Sequence, residues 1–144
     1  MVDKIGLDEL DRFNELGIQV NSNFVNLFSL NDILNSEFDY VYGYYLDSKL
    51  VGFIHLNKMY ENIDIVNIVV DPLHRNLGIA ISLIESIEKN YPDCEHLFLE
   101  VREDNIPAIN LYKKMSFLEI NRRKNYYDNA DALVMERNIK KWKI

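Results

Sequence analysis

A carboxylate stands inside a short apolar segment, where proton-transfer chemistry could use one. Residues 97–102 alternate in a way that predicts a strand and places Glu100 on the same face as Arg102. Central parallel strands bury both faces, so a carboxylate at this position is unexpected. The sequence leaves two explanations open: a structural ion pair with Arg102, or a catalytic role for Glu100.

A tyrosine on a predicted helix is the second candidate. Asn105 suits an N-cap, Pro107 fits the first helical turn, and an apolar stripe follows over residues 108–115. Tyr112 lies on that stripe. Taken alone, this position favours a core tyrosine with a satisfied hydroxyl over a proton donor.

A glycine-containing turn is the third candidate, and it follows a predicted strand and opens a helix. Its residues are Arg75-Asn76-Leu77-Gly78-Ile79-Ala80. Glycine lets an anion approach the backbone, and the unpaired N–H groups and dipole of a helix start favour negative charge. A tight strand-to-helix turn would have the same residues. The dinucleotide pattern G-x-G-x-x-G and the Walker pattern G-K-[ST] do not occur in the sequence.

Hydrophobic periodicity predicts the elements that position these candidates. Helices are expected around residues 80–89 and 105–115, and strands at residues 40–46, 50–56, 63–70, 97–102, 117–124 and 132–137. The strand–helix–strand order implies one parallel pair, and the flanking hairpins imply antiparallel edges. The expected fold class is α/β: a mixed, mostly antiparallel sheet with one parallel β-α-β pair and helices on both faces.

The first quarter of the chain carries weaker signals. Leu7, Leu10 and Phe13 recur at helical spacing, and Gly17 fits a C-terminal stop for that helix. Ser29 and Asp32 fit a capping box for a short second helix.

Length and charge limit the function classes. The chain has 144 residues and a formal net charge of −7, typical of one globular domain spanning residues 1–144. An acidic protein is poorly suited to nucleic acid and well suited to a basic substrate such as a peptide amine. The longest strongly apolar stretch, residues 63–70, is too short to span a bilayer, and the polar N-terminus does not fit a signal peptide. We therefore expect a soluble, cytoplasmic protein without nucleic-acid or membrane partners.

Other reactive side chains suggest no metal and no covalent catalysis. His55, His74 and His96 are dispersed without metal-ligand spacing. Cys94 is the single cysteine, so an internal disulfide and a cysteine-based zinc site are excluded. No triad context surrounds Cys94, so we do not expect it to act as a nucleophile.

Taken together, the motifs resemble the GNAT superfamily of acetyl-CoA-dependent N-acetyltransferases. The turn is similar to the family signature [Q/R]-x-x-G-x-[G/A], with Arg75, Gly78 and Ala80 at its three fixed positions. A longer pattern resembles the bacterial ribosomal-protein alanine N-acetyltransferases of this superfamily: Leu99-Glu100-Val101-Arg102-x-x-Asn105-x-x-Ala108-Ile109-x-Leu111-Tyr112, then Phe117, Arg123-x-x-Tyr126-Tyr127 and Asp131-Ala132-Leu133-Val134-Met135. The resemblance covers residues 40–137. The family's usual L-G-F has Ser116 in place of its glycine, and residues 1–37 do not match.

The resemblance implies a role for each matching position. Acetyl-CoA would be the co-substrate, with its pantetheine arm on the backbone of Ile68, Val69 and Val70. Its pyrophosphate would lie on the backbone N–H groups of Asn76, Leu77, Gly78, Ile79, Ala80 and Ile81. Asn105 would contact the cofactor near the thioester. Glu100 would be the general base and Tyr112 the general acid, and the peptide site would be bordered by Arg123, Tyr126 and Tyr127.

The implied activity is acetyl transfer to a peptide N-terminal α-amine, such as the N-terminal alanine of a ribosomal protein, by direct attack in a ternary complex. An α-amine has a pKa of about 8 and a lysine amine about 10.4, so the α-amine is the easier acceptor. An ordinary glutamate near 4.3 is too acidic to take that proton efficiently. Glu100 must therefore be perturbed by burial or act through water. Two alternatives stay open: acetylation of a small-molecule amine such as a polyamine or amino acid, and a non-catalytic acyl-CoA-binding module.

Overall fold

A computed structural model describes residues 1–139 as a mixed α/β fold with a seven-stranded sheet. The strands are hydrogen-bonded in the order β1-β2-β3-β4-β5-β7-β6. Their bounds are β1 Val2–Lys4, β2 Asp39–Leu46, β3 Lys49–Met59, β4 Asn62–Val70, β5 His96–Arg102, β6 Leu118–Tyr127 and β7 Ala130–Asn138. The predicted class is confirmed, and the six predicted strands lie within one to three residues of observed ones.

Five α-helices accompany the strands in the described chain. Their bounds are α1 Leu10–Val20, α2 Phe24–Leu27, α3 Leu30–Asn35, α4 Ile79–Asn90 and α5 Ile106–Lys114, with short 3₁₀ helices at Leu7–Glu9 and Pro72–His74. Ser29 caps α3 by accepting a hydrogen bond from the Asp32 backbone N–H at 3.3 Å, as its spacing predicts. Over residues 1–139, no helix combines the length and the apolar character that crossing a membrane requires.

The chain forms two compact units. The first unit contains Met1–Lys58 and Asn67–Pro92, and the second contains Met59–Val66 and the described residues that follow Pro92. Strand β4 contributes its first half to the second unit and its second half to the first.

The core of the first unit is aromatic. The Phe13 ring packs 4.5 Å from the Phe53 ring and 5.3 Å from the Phe24 ring, measured between ring centroids. All three side chains are fully buried. These contacts attach the N-terminal helices to the β2–β3 hairpin, which a sequence reading of residues 18–37 did not predict.

Gly17 does not end the first helix, contrary to the prediction. Helix α1 continues to Val20, and Gly17 is buried inside it. A Cβ at this position would lie 2.2 Å from a ring carbon of Phe24. Gly17 is therefore required by the close approach of an aromatic ring and not by a left-handed backbone.

The first unit contains an additional edge strand and a tight hairpin turn. Strand β1, which the sequence analysis missed, pairs antiparallel with β2 from Val2 opposite Tyr44 to Lys4 opposite Tyr42. Between β2 and β3, Asp47 and Ser48 have φ values of 49° and 67°. Two consecutive positive φ values are typical of the tight hairpin turn predicted here.

Strand β5 organises the second unit. Its parallel ladder with β4 runs from Asn62 opposite His96 to Ile65 opposite Leu99. Its antiparallel ladder with β7 continues to Arg102. The parallel β-α-β pair is thus confirmed. Both faces of β5 were expected to be buried, and this is wrong: Leu97, Leu99 and Val101 are buried, whereas the opposite face is partly exposed.

A buried histidine joins several polar groups within the first unit. His55 Nε2–H donates to Asp39 Oδ1 at 2.7 Å, and Asn67 Nδ2 lies 3.4 Å from His55 Nδ1. Ser36 Oγ–H donates to the other oxygen of Asp39 at 2.7 Å. Burial lowers the pKa of His55, although the Asp39 carboxylate opposes this shift. The histidine is therefore neutral in the folded protein at neutral pH.

We predict that the free energy of unfolding falls as the pH is lowered from 7 to 5. An unfolded histidine titrates near 6.5, and the folded pKa of His55 is lower, so the unfolded chain binds the proton first. The slope from one such proton approaches about 1.4 kcal/mol per pH unit. Urea denaturation at several pH values measures it, and His55→Gln should have a shallower slope than the wild type. Equal slopes in the two proteins would contradict this account of His55.

Candidate active site

The candidate residues of the first unit follow the end of β4. Asp71 is 4% exposed, and its Oδ2 accepts a hydrogen bond from Arg12 Nη2 at 2.7 Å. Arg12 Nε also donates to the Leu50 carbonyl oxygen at 2.8 Å, and Asp71 N–H donates to the Val51 carbonyl at 2.8 Å. Helix α1 and strand β3 thereby fix the chain just before the glycine-containing turn.

The Asp71 carboxylate also shapes the backbone that leaves β4. Its Oδ1 accepts a hydrogen bond from the Leu73 N–H at 3.0 Å and caps the 3₁₀ helix Pro72–His74. That backbone hydrogen bond lowers the pKa of Asp71, and the Arg12 guanidinium lowers it further, against the opposing effect of burial. The carboxylate is ionised at neutral pH, and it holds both Arg12 and the turn.

The turn itself presents backbone groups at the start of α4. Asn76 and Gly78 have φ values of 65° and 74°, and Gly78 is the N-cap residue of the helix. Gly78 has no side chain to cap the helix, and the first turn of α4 carries no acidic residue in this described segment. The N–H groups of Ile79, Ala80 and Ile81 precede Ser82, the first N–H that bonds back to Gly78. This end of α4 can therefore bind an anion.

The strand residues assigned to the cofactor lie at the end of β4. Val69 is 2% exposed, while Ile68 and Val70 are half-buried. Gly52 of β3 lies so close that a Cβ on it would be 2.9 Å from the Val69 carbonyl oxygen. The backbone conformation of this segment is thus fixed by packing.

In the second unit, Glu100 is exposed and paired with a different arginine from the one expected. Its Oε1 lies 2.9 Å from Arg123 Nε, with 30% of the Glu100 side chain and 54% of the Arg123 side chain exposed. The burial that the strand pattern predicted for this carboxylate is wrong. The reason is the alternation of β5, which places Glu100 on its open face.

Arg102 does not pair with Glu100, so the structural explanation considered for that carboxylate is wrong. Arg102 contacts both carboxylate oxygens of Asp104 at 3.1 Å, and its Nη2 donates to Asn129 Oδ1 at 2.9 Å. Its guanidinium also lies 4.9 Å from the ring centroid of Tyr127.

The β6–β7 hairpin supplies the remaining aromatic candidates. Tyr126 and Tyr127 lie edge to face with ring centroids 5.3 Å apart, and the Arg123 guanidinium lies 5.4 Å from the Tyr126 ring. Tyr126 is exposed, and Tyr127 is half-buried. The ladder with β7 is irregular between Arg123 and Tyr127. The structure thus brings Glu100, Arg123 and Tyr126 together, as a group that spacing alone did not predict.

Tyr112 lies on α5 with a buried ring and a hydroxyl that is not hydrogen-bonded within residues 1–139. The ring is 8% exposed and packs edge to face against Phe117 at 5.9 Å. Burial raises the pKa of Tyr112 to about 12. Buried tyrosines usually find a partner for the hydroxyl. The hydroxyl oxygen is not fully enclosed, so solvent or a ligand can reach it.

Asn105 caps α5 as predicted. Its Oδ1 accepts a hydrogen bond from the Ala108 N–H at 3.3 Å. Because the cap uses the oxygen, the Nδ2 group is the part of Asn105 that could donate to a ligand.

His96 and Cys94 contact groups other than the candidate residues. His96 Nδ1 lies 2.8 Å from Glu136 Oε1, and Cys94 is buried with its Sγ 3.5 Å from the His96 carbonyl oxygen. Among the residues described, no cluster of three metal-ligating side chains occurs.

Comparison with known proteins places these features in a family context. A model of the acetyltransferase (GNAT) family matches residues 10–117. An N-alpha-acetyltransferase of Sulfurisphaera tokodaii is 36% identical over an alignment of 102 residues, and the match covers 66% of this chain and 61% of the length of that protein. A Bacillus subtilis protein, named as a candidate ribosomal protein bS18-alanine N-acetyltransferase, is 31% identical over 137 residues, or 90% of this chain and 89% of its own.

A solved structure has the same fold. A GNAT family acetyltransferase from Elizabethkingia anophelis, crystallised with acetyl-CoA bound, matches with a TM-score of 0.80. The match covers 96% of this chain and 97% of that chain at 17% sequence identity.

We predict that Asp71→Asn destabilises the protein by about 2 to 4 kcal/mol, because it removes the buried partner of Arg12 and leaves the guanidinium with the exposed Glu15 carboxylate. Glu15→Gln is a matched control, since Glu15 contacts the same guanidinium at the same 2.7 Å but is 63% exposed. It should cost less than about 0.5 kcal/mol. Urea denaturation of the three proteins measures both changes. Similar losses in the two variants would show that burial does not decide the strength of these contacts.

Proposed function

Because the chain belongs to the acetyltransferase (GNAT) family, we propose that it transfers an acetyl group from acetyl-CoA to a peptide N-terminal α-amine. The proposal rests on two side chains of the second unit whose positions are not explained by a structural role. These are the exposed Glu100 carboxylate and the hydroxyl of Tyr112, a buried residue whose hydroxyl has no hydrogen-bond partner within residues 1–139. Acetyl transfer from a thioester to an amine needs one acceptor and one donor of protons, and these two groups match that need.

The acceptor that we propose is the N-terminal alanine of a ribosomal protein. Support comes from the Bacillus subtilis relative, whose named substrate is of this kind and whose similarity extends over 90% of this chain. The net charge of −7 is consistent with a basic peptide acceptor.

Acetyl-CoA would bind through the backbone of the first unit. The N-terminal end of α4 offers N–H groups to the pyrophosphate, from Asn76 to Ile81 along the chain. The pantetheine arm would hydrogen-bond to the backbone of Ile68, Val69 and Val70, and the Asn105 amide would contact the cofactor near the thioester. Support comes from the acetyl-CoA bound to the Elizabethkingia anophelis protein, which shares the fold.

Glu100 would take the proton of the attacking amine through a water molecule. Its carboxylate is exposed, which favours transfer through a water molecule. About a tenth of a peptide α-amine is already neutral at pH 7, so the base has a modest demand to meet. The amine then attacks the thioester carbonyl directly, forming the C–N bond and releasing the thiolate of CoA.

Tyr112 would donate to the departing sulfur. With a pKa of about 12, its hydroxyl is protonated throughout the neutral range. Complete transfer to a thiolate with a conjugate pKa of about 8.5 is uphill by roughly 5 kcal/mol, against the roughly 2 expected for an ordinary tyrosine. The hydroxyl is therefore proposed to stabilise the thiolate mainly as a hydrogen-bond donor, with the proton finally supplied by solvent.

Mass spectrometry after incubation with acetyl-CoA tests this function. One peptide carries a free α-amine on an N-terminal alanine and no lysine, and the second has a blocked N-terminus and internal lysines. We expect acetylation of the first peptide alone, because its amine is the more easily deprotonated.

Acetylation of the second peptide alone would contradict the choice of an α-amine. If acetyl-CoA binds and neither peptide reacts, a panel of polyamines and amino acids separates a small-molecule acetyltransferase from a non-catalytic acyl-CoA-binding module. Either result would replace the proposal.

A further inference from the structure

We propose that the acceptor displaces Arg123 when it binds. The guanidinium of Arg123 occupies the position beside Glu100 that the ammonium group of the acceptor then takes. This inference rests on the proposed function, and it assigns to Arg123 a gating role in place of the peptide-binding role that the family resemblance implied. Arg123 is held more weakly than the neighbouring arginines, Arg102 and Arg122.

Arg123 is held to the carboxylate by one short contact. Its Nε lies 2.9 Å from Glu100 Oε1, and about half of its side chain is exposed to solvent. Its other contact is the face of the Tyr126 ring at 5.4 Å. An exposed ion pair with a single contact is a weak one, so another cation can replace the guanidinium at little cost.

Neighbouring arginines are fixed by several partners each. Arg102 binds both oxygens of Asp104 and the side chain of Asn129. Arg122 lies 2.7 Å from Glu103 and 3.2 Å from Asp131. Each carboxylate that fixes these two arginines is thus already engaged. Glu100 differs from these carboxylates, because its partner Arg123 can be displaced.

The exchange has a direction because the reaction changes the charge of the acceptor. A peptide α-amine arrives mostly as an ammonium ion at pH 7 and can compete with Arg123 for the carboxylate. Once bound beside Glu100, the ammonium group loses its proton to the carboxylate through a water molecule, and acetylation turns the amine into a neutral amide. The amide no longer attracts the carboxylate, so the guanidinium returns and favours release of the product.

Acceptor affinity in the presence of CoA tests this gate without turnover. We expect Arg123→Gln to bind the alanine peptide about two- to fivefold more tightly, since the competing guanidinium is gone. Lys124→Gln removes the same charge from the next residue and should leave the affinity near that of the wild type. Isothermal titration calorimetry measures the three dissociation constants. Weaker or unchanged binding by Arg123→Gln would overturn the gate, weaker binding indicating that Arg123 contacts the acceptor itself.

A second pair of variants distinguishes a failure of this inference from a failure of the proposed function. In a Glu100→Gln background the carboxylate is absent, so adding Arg123→Gln should no longer change peptide affinity. A persisting effect would place the action of Arg123 elsewhere and overturn the gate, even if the enzyme acetylates the alanine peptide. Failure to acetylate any peptide would instead remove the proposed function, and the gate with it.

Discussion

The parallel ladder between β4 and β5 ends where Ile65 lies opposite Leu99, and the candidate chemistry depends on that end. Glu100 is the next residue. On its other side, β7 continues the sheet and holds Glu100 opposite Val134. The backbone of Glu100 is therefore fixed by one ladder, while the alternation of β5 turns its side chain to the open face. A carboxylate on a fixed strand with an accessible head group is suited to meet a substrate that arrives from solvent.

Two carboxylate–arginine pairs have similar contact distances, but they differ in burial and therefore in their roles. The pair of Asp71 with Arg12 is nearly inaccessible and shares hydrogen bonds with the surrounding backbone, so it maintains the shape of the turn before α4. The pair of Glu100 with Arg123 is open to solvent and has one short contact. Water weakens a pair of the second kind and allows it to exchange partners, whereas removal of either member of the first leaves a largely buried charge without its buried partner.

Signals that are local in sequence predicted much of this fold. The caps at Ser29 and Asn105 involve backbone three residues away, and strand alternation does not require a known partner. The requirement for Gly17 comes from a ring of the following helix, and β1 is a strand only because it pairs with β2. The partner of Glu100 depends on two ladder registers through β7, including an irregular one. Spacing therefore identified Glu100 as a candidate but could not predict which arginine it contacts.

The single-turnover rate of Glu100→Gln with saturating acetyl-CoA and the alanine peptide tests the central claim most directly. The account predicts a rate about 10²-fold below that of the wild type at pH 7, with unchanged acetyl-CoA affinity. The deficit should shrink toward pH 9, where an amine with a pKa of about 8 is mostly neutral without a base. A rate close to that of the wild type at pH 7 would contradict the claim that Glu100 accepts the acceptor's proton.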